Sequence, residues 1–378
     1  MASHGVPRVA PTAAKSDKAR QKELQKIKDY QRLVGTVQDK ISAKEYTPTT
    51  LSLTSKLLDL NPEYYTVWNH RRLVLLHGLF PSPPDPTSPS TSTPHPLPLI
   101  RQDLNFLVPL LRQFPKCYWI WNHRLWLLHQ ATRLLPQTHS LSLWQDELVL
   151  VSKMLALDSR NFHGWGYRRT VVDQLERQQS SPETEGKIGH AYSMAEEEFT
   201  YTTKKISTDL SNYSAWHRRC TLIPRILAER GADDDARRAF FSNELSLIHS
   251  ALFTDPYNQS TWFYHHWLFS TCQTSPPPHS VLPSLSTSAK QEALVAELDM
   301  LRELLDGYED CKWIYEALIR YTRLAIALRD GVDGGDGGGR GRTDEERIEM
   351  AGWLAEIRKL DSFRRGRWDD LGRRLELD

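Results

Sequence analysis

Lys116, Tyr118 and His163 are the side chains whose types and positions in this sequence point to chemistry. An ammonium, a phenol and an imidazole brought to one place form a donor set for a phosphate or a diphosphate: each presents a hydrogen to an anionic oxygen, and the lysine adds a full charge. Their positions stand out against a repeat. Tryptophans at Trp68, Trp121, Trp165, Trp216, Trp262 and Trp313 recur 44 to 53 residues apart, in segments such as Tyr118-Trp119-Ile120-Trp121-Asn122-His123-Arg124 and Tyr213-Ser214-Ala215-Trp216-His217-Arg218-Arg219. Five residues ahead of the tryptophan the second repeat has Lys116, where others have Glu63, Arg160, Ser211 and Tyr257. Two residues ahead, the third has His163, where others have Thr66, Trp119 and Ser214. The alternative reading is that all three are surface residues at helix starts, with no shared task.

A period of that length holds two helices and two connections. The stretch 114–128 has the pattern of the second helix: Pro115 suits a first helical turn, and Trp121, Leu125 and Leu128 share one face. Apolar stretches at 100–111, 143–157, 195–206, 239–253 and 294–305 supply the partner helices. Hairpins stacked in parallel set equivalent positions along one edge, which brings Lys116, Tyr118 and His163 together. The expected fold is all-α: six antiparallel helical hairpins in a curved superhelical array, a right-handed solenoid of the tetratricopeptide kind. At such repeat positions Trp68, Trp121, Trp165, Trp216, Trp262 and Trp313 read as core knobs. The arginine three residues on, at Arg71, Arg124, Arg168 and Arg219, is expected to pair with acids or helix-end carbonyls of the neighbouring hairpin; Glu316 stands in that place in the sixth repeat. Asn61, Asp158, Asp209 and Asp255 are expected to cap or charge the starts of the tryptophan helices.

The remaining organisation follows from composition. Residues 1–16 are expected to be flexible, and 17–330 to form the helical repeat domain. That domain opens with a helix to residue 42 whose stripe is Leu24, Ile27, Tyr30 and Val34. Pro/Ser/Thr-rich insertions near 81–98 and 274–288 are expected to be mobile loops. A Gly/Asp linker at 331–342 then leads to a capping helix over 343–378. With 48 Lys+Arg against 47 Asp+Glu the net charge is +1, which gives no basic field for nucleic acid. The four cysteines are far apart, so they read as reduced thiols with neither a disulfide framework nor a zinc module, and no metal is expected on this chain itself. No apolar run of about 18 residues or secretory leader is evident, which points to a cytoplasmic protein without a membrane span.

Segments 118–124, 162–169, 213–219 and 259–265 resemble the Trp-x-x-Arg repeats of protein prenyltransferase alpha subunits, and the likeness extends over about residues 22–324. Within that family, segments 209–219 and 253–267 look like the Rab geranylgeranyltransferase branch, and 118–126 like its fungal form. The resemblance implies an alpha subunit that scaffolds a beta subunit in an obligate heterodimer, with zinc and the isoprenoid pocket on beta. Geranylgeranyl diphosphate would lie at the subunit interface, and its lipid would pass to carboxy-terminal cysteines of Rab GTPases presented by an escort protein, forming thioethers. The resemblance further implies that Pro115-Lys116-Cys117-Tyr118 and Phe162-His163 supply Lys116, Tyr118 and His163 as the diphosphate-binding and catalytic groups of this chain. Farnesyltransferase has a tyrosine where Phe162 stands, so Phe162 offers packing without a hydroxyl. Rab-type chains often begin Met-His-Gly, and here His4 is offset by two residues. The leucine-rich repeats and immunoglobulin-like insert of animal forms are not in this sequence. Two other readings stand beside this one: the alpha subunit shared by farnesyltransferase and type I geranylgeranyltransferase, which acts on Cys-a-a-X proteins without an escort, and a non-catalytic helical scaffold, whose period would be nearer 34 residues.

Overall fold

The computed structural model describes residues 17–81, 95–180, 192–331 and 341–377. The segment 1–16 with His4, most of the 81–98 insertion and most of the glycine linker lie outside them. The described residues form fifteen α-helices and contain no strand, as the all-α expectation requires. The chain divides into two compact units, Met1–Tyr192 and Ser193–Asp378.

In the first unit α1 (Asp17–Ser42) precedes three hairpins: α2 (Pro48–Leu60) with α3 (Tyr65–Val74), α4 (Pro96–Gln113) with α5 (Tyr118–Leu134), and α6 (Gln137–Leu157) with α7 (Phe162–Gln179). The second unit has three more: α8 (Ala195–Thr208) with α9 (Tyr213–Glu229), α10 (Asp234–Thr254) with α11 (Gln259–Leu268), and α12 (Thr287–Gly307) with α13 (Lys312–Asp330). It ends with α14 (Asp344–Leu360) and α15 (Arg365–Leu375).

Trp68, Trp121, Trp165, Trp216 and Trp262 are buried, and each indole N–H donates to the carbonyl six residues before it, at 2.7 to 2.9 Å. The bond ties each knob to the link that leads into its own helix. Three of those carbonyls also hold the next hairpin: Pro62 accepts from the Cys117 thiol, Pro115 from the Asn161 amide, and Pro256 from the Cys311 thiol. The sixth repeat departs from the expectation. Trp313 is only partly buried, and the buried Tyr315 donates to the carbonyl of Glu309, again six residues back. Tyr315 is the fourth residue of α13, as Trp262 is of α11, so the register lies two residues beyond the tryptophan. Leu318, and not Glu316, therefore stands at the arginine position.

Other boundaries shift as well. α5 begins at Tyr118, with Cys117 as its N-cap, so Pro115 and Lys116 precede the helix. Its buried face includes Leu127 and Leu128, while Leu125 is only partly covered. Asn61, Asp158, Asp209 and Asp255 end the first helices of their hairpins. The tryptophan helices of hairpins three to five are instead capped by Asn161, Asn212 and Asn258, whose side chains accept from Gly164, Ala215 and Ser260. The carboxy-terminal segment is two helices broken at Asp361, which accepts from Lys312 and Trp368. The 274–288 stretch, expected to be mobile, is anchored: Val281 and Leu282 are buried, and Leu282 exchanges backbone bonds with the Thr271 hydroxyl. In α1, Leu24 and Ile27 are exposed and Val37 is the buried residue.

The repeat arginines Arg71, Arg124 and Arg219 pair with the neighbouring hairpin, and Arg168 donates to the Ser152 hydroxyl of its own hairpin at 2.7 Å. Arg71 binds Asp103, Arg124 binds Glu147 at 2.7 and 2.5 Å, and Arg219 binds Glu244 at 2.7 and 2.6 Å, all buried. Each carboxylate takes a second partner two residues past the tryptophan of its own hairpin: His123 on Asp103, Tyr167 on Glu147, Tyr264 on Glu244. His123 meets Asp103 through Nε2 at 2.9 Å, while Arg72 donates to its Nδ1 at 3.3 Å. Arg72 has no lone pair to offer, so Nδ1 is the acceptor and Nε2 carries the hydrogen. Burial pushes the His123 pKa down to about 4, against the pull of Asp103. The folded value lies below the unfolded one of about 6.5, so the unfolded chain binds the extra proton between them. Stability from this group is complete above about pH 6.5 and is lost toward pH 4, at about 1.4 kcal/mol per pH unit. Replacing His123 with glutamine should flatten the fall in urea-unfolding free energy between pH 7 and pH 5; equal slopes in the two proteins would count against the neutral, buried imidazole.

Candidate diphosphate-binding site

The site forms where α5 and α7 begin, inside the first unit. Lys116 lies in the link between α4 and α5 and is exposed; Tyr118, the first residue of α5, is half exposed; His163, the second residue of α7, is partly buried. The tyrosine and histidine rings lie 6.1 Å apart, and the imidazole hydrogen-bonds to the Lys116 backbone. The structure therefore brings the three residues together. Phe162 is well exposed and rests on His163, ring centroids 4.0 Å apart, so its packing is against the imidazole.

Each donor has a defined state. The Tyr118 oxygen accepts from the Asn122 amide at 3.1 Å, which leaves the phenolic hydrogen to give to a ligand. Asn122 is held in turn by Arg72, whose Nη2 donates to Oδ1 at 2.6 Å. The order Arg72, Asn122, Tyr118 fixes which way the amide faces and where the hydroxyl points. Arg72 also adds a positive charge that acts on Tyr118. Burial lowers the His163 pKa, opposed by the Glu63 carboxylate and by the bond to Lys116, so the free ring is neutral near pH 7. With one nitrogen bonded to that backbone, the other donates to a phosphate only as imidazolium, a form that an adjacent multivalent anion favours. The Cys117 thiol, pushed up to about 11 mainly by burial, stays protonated and is not a nucleophile.

Arg72 and Asn122 are the residues that the sequence did not bring out. A signal exists for Arg72: four residues past the tryptophan, the first five repeats have Arg72, Leu125, Arg169, Cys220 and His266. The position varies between repeats, with arginine in the first and the third. Exposed Tyr65, Tyr118 and Phe162 open the three tryptophan helices of this unit, and Tyr65 lies 5.5 Å from Trp119, so aromatic surface surrounds the polar donors. No group of three His, Cys, Asp or Glu side chains converges here among the described residues; the one such cluster is His249, His265 and Glu297, in the second unit.

Five segments, 48–78, 100–131, 144–175, 195–226 and 241–272, match the protein prenyltransferase alpha subunit repeat. The sixth hairpin, with Tyr315 in the tryptophan place, is not among them. The chain is 34% identical over 380 residues to the geranylgeranyl transferase type-2 subunit alpha of Schizosaccharomyces pombe, covering 98% of each chain. It is 36% identical over 274 residues to the protein of the same name from Saccharomyces cerevisiae, covering 72% of this chain and 74% of that one. Among solved structures, a Candida albicans protein geranylgeranyltransferase-I complexed with GGPP aligns over 90% of this chain and 89% of the other, with a TM-score of 0.56 and 19% identity, a likeness of fold.

Proposed function

Because this chain belongs to the protein prenyltransferase alpha-subunit family, within its geranylgeranyl transferase type-2 branch, we propose that it works with a beta subunit to move a geranylgeranyl group from geranylgeranyl diphosphate to carboxy-terminal cysteines of Rab GTPases in the cytoplasm. An escort protein presents the Rab. The observation that carries the reading is the meeting of Lys116, Tyr118 and His163 on a face with aromatic surroundings, in a chain with full-length similarity to type-2 alpha subunits.

Transfer makes a carbon–sulfur bond at the first carbon of the isoprenoid and breaks its bond to the diphosphate oxygen. Zinc on the beta subunit would supply a cysteine thiolate at neutral pH by lowering the thiol pKa. This chain acts on the leaving group. Negative charge grows on the bridging oxygen as the bond breaks, and Lys116, the Tyr118 hydroxyl and His163 provide positive or hydrogen-bonding partners fixed in advance of the reaction. Arg72 and Asn122 are positioning residues, acting through Tyr118.

Co-expression tests the assignment. The chain should copurify in equal amounts with a type-2 beta subunit and not with a farnesyltransferase beta subunit. Stable pairing with the farnesyltransferase beta subunit alone would move the chain to the other branch, and pairing with neither would favour a scaffold.

A further inference from the structure

The fifth and sixth hairpins change the buried ion-pair pattern at two positions. Where hairpins one, two and four present arginine to the next hairpin, the fifth presents His265, whose Nε2 meets Oε1 of Glu297 at 2.6 Å. The carboxylate's usual second partner is also lost, because the residue two beyond Tyr315 is Ala317. His249 of α10 takes that role from another direction, with Nε2 2.9 Å from Oε2. Two imidazole nitrogens and a carboxylate oxygen, from α10, α11 and α12, thus lie within 4.8 Å of one another.

The charge of the buried carboxylate is met here by the two imidazoles or by a bound cation. Glu297 is 1% exposed at its side chain, and the arginine that elsewhere neutralises the buried carboxylate is missing. The surrounding hydrogen bonds define the place that a cation would take. The Tyr321 hydroxyl lies 2.8 Å from Nδ1 of His265 and 2.9 Å from Nδ1 of His266. A hydroxyl has one hydrogen to give, so one ring must donate to it. In one of the two arrangements this allows, His265 donates and Tyr321 passes its own hydrogen to His266, which turns the Nε2 lone pair of His265 toward Glu297 and calls for a cation between them; in the other, His266 donates and the Nε2 hydrogen of His265 meets Glu297 directly. A metal-bound imidazole is oriented in this way, its second nitrogen donating to a fixed partner.

We propose that His249, His265 and Glu297 form a binding site for a divalent transition metal of the zinc class, which replaces the missing guanidinium charge and joins α10, α11 and α12. Two imidazoles and one carboxylate suit such an ion, with a fourth position for water. Ligand bonds of about 2.0 to 2.2 Å at tetrahedral angles put ligand atoms about 3.3 to 3.6 Å apart, so the present contacts of 2.6 and 2.9 Å would open by about 0.4 to 1 Å. His249, partly exposed, gives the ion a way in.

Cobalt(II) titration of the untagged full-length chain tests the site. One equivalent should bring the visible absorption of four-coordinate cobalt, and one equivalent of zinc should remove it and raise the melting temperature. His249→Ala, at a partly exposed position, should keep the metal-free melt while weakening cobalt binding about tenfold or more; Glu297→Gln should abolish it, and His279→Ala, at an exposed histidine outside the cluster, should leave it intact. No cobalt spectrum in the unaltered chain, or the same spectrum in His249→Ala, would overturn the proposal. The first result would leave a protonated His265 as the partner of Glu297.

Discussion

Lys116→Ala is expected to lower the single-turnover rate of geranylgeranyl transfer about ten- to a thousandfold, equivalent to about 1.4 to 4 kcal/mol of transition-state stabilisation. The lysine lies on an exposed link outside the helices, and its removal breaks no buried contact, so copurification with the beta subunit should be unaffected. The loss should appear in the chemical step more than in diphosphate affinity, because the interaction strengthens as charge moves onto the leaving group. Lys116→Arg keeps the charge and should recover part of the rate. A correctly assembled Lys116→Ala dimer with an unchanged rate constant would remove the lysine from the mechanism.

Arg124→Ala has the largest expected effect on stability. Its guanidinium is buried, donates to both oxygens of Glu147 and also to the Leu104 carbonyl at 2.7 Å, and so holds α5 to the first helix of its own hairpin and to that of the next. Removing it leaves a buried carboxylate with Tyr167 and no cation, at a cost of about 3 to 5 kcal/mol. A second change, Glu147→Met, should recover much of that loss, since the stranded charge and not the missing contact is the main penalty. Urea unfolding of the two variants is the check. A loss under about 1 kcal/mol in Arg124→Ala would mean that water reaches Glu147 and that the pair is not a buried staple.

The fold was legible because its period is long and five tryptophans recur in it with one structural use, a buried indole tied to the carbonyl six residues back. The limits of that signal are equally physical. Trp313 matches the letter of the repeat, but the position needs a ring with a donor that reaches the carbonyl six residues back, and Tyr315 meets that need. Asp158, Asp209 and Asp255 looked like caps because aspartate and asparagine serve both ends of a four-residue link; only the bonds from Gly164, Ala215 and Ser260 distinguish Asn161, Asn212 and Asn258 as the true ones. In the site, Lys116, Tyr118 and His163 were legible as departures from a repeat. Asn122 was not, because its task is to hold Tyr118 for Arg72, and that three-residue contact crosses from one hairpin to the next.

The most direct measurement is transfer itself. The chain is assembled with a type-2 beta subunit and given labelled geranylgeranyl diphosphate with a Rab protein, with and without an escort protein, and in parallel with a Cys-a-a-X peptide. Label should enter the Rab carboxy terminus as a thioether, only when the escort is present, while the bare peptide stays unlabelled. Labelling of the peptide without an escort, or none of the Rab with one, would contradict the account.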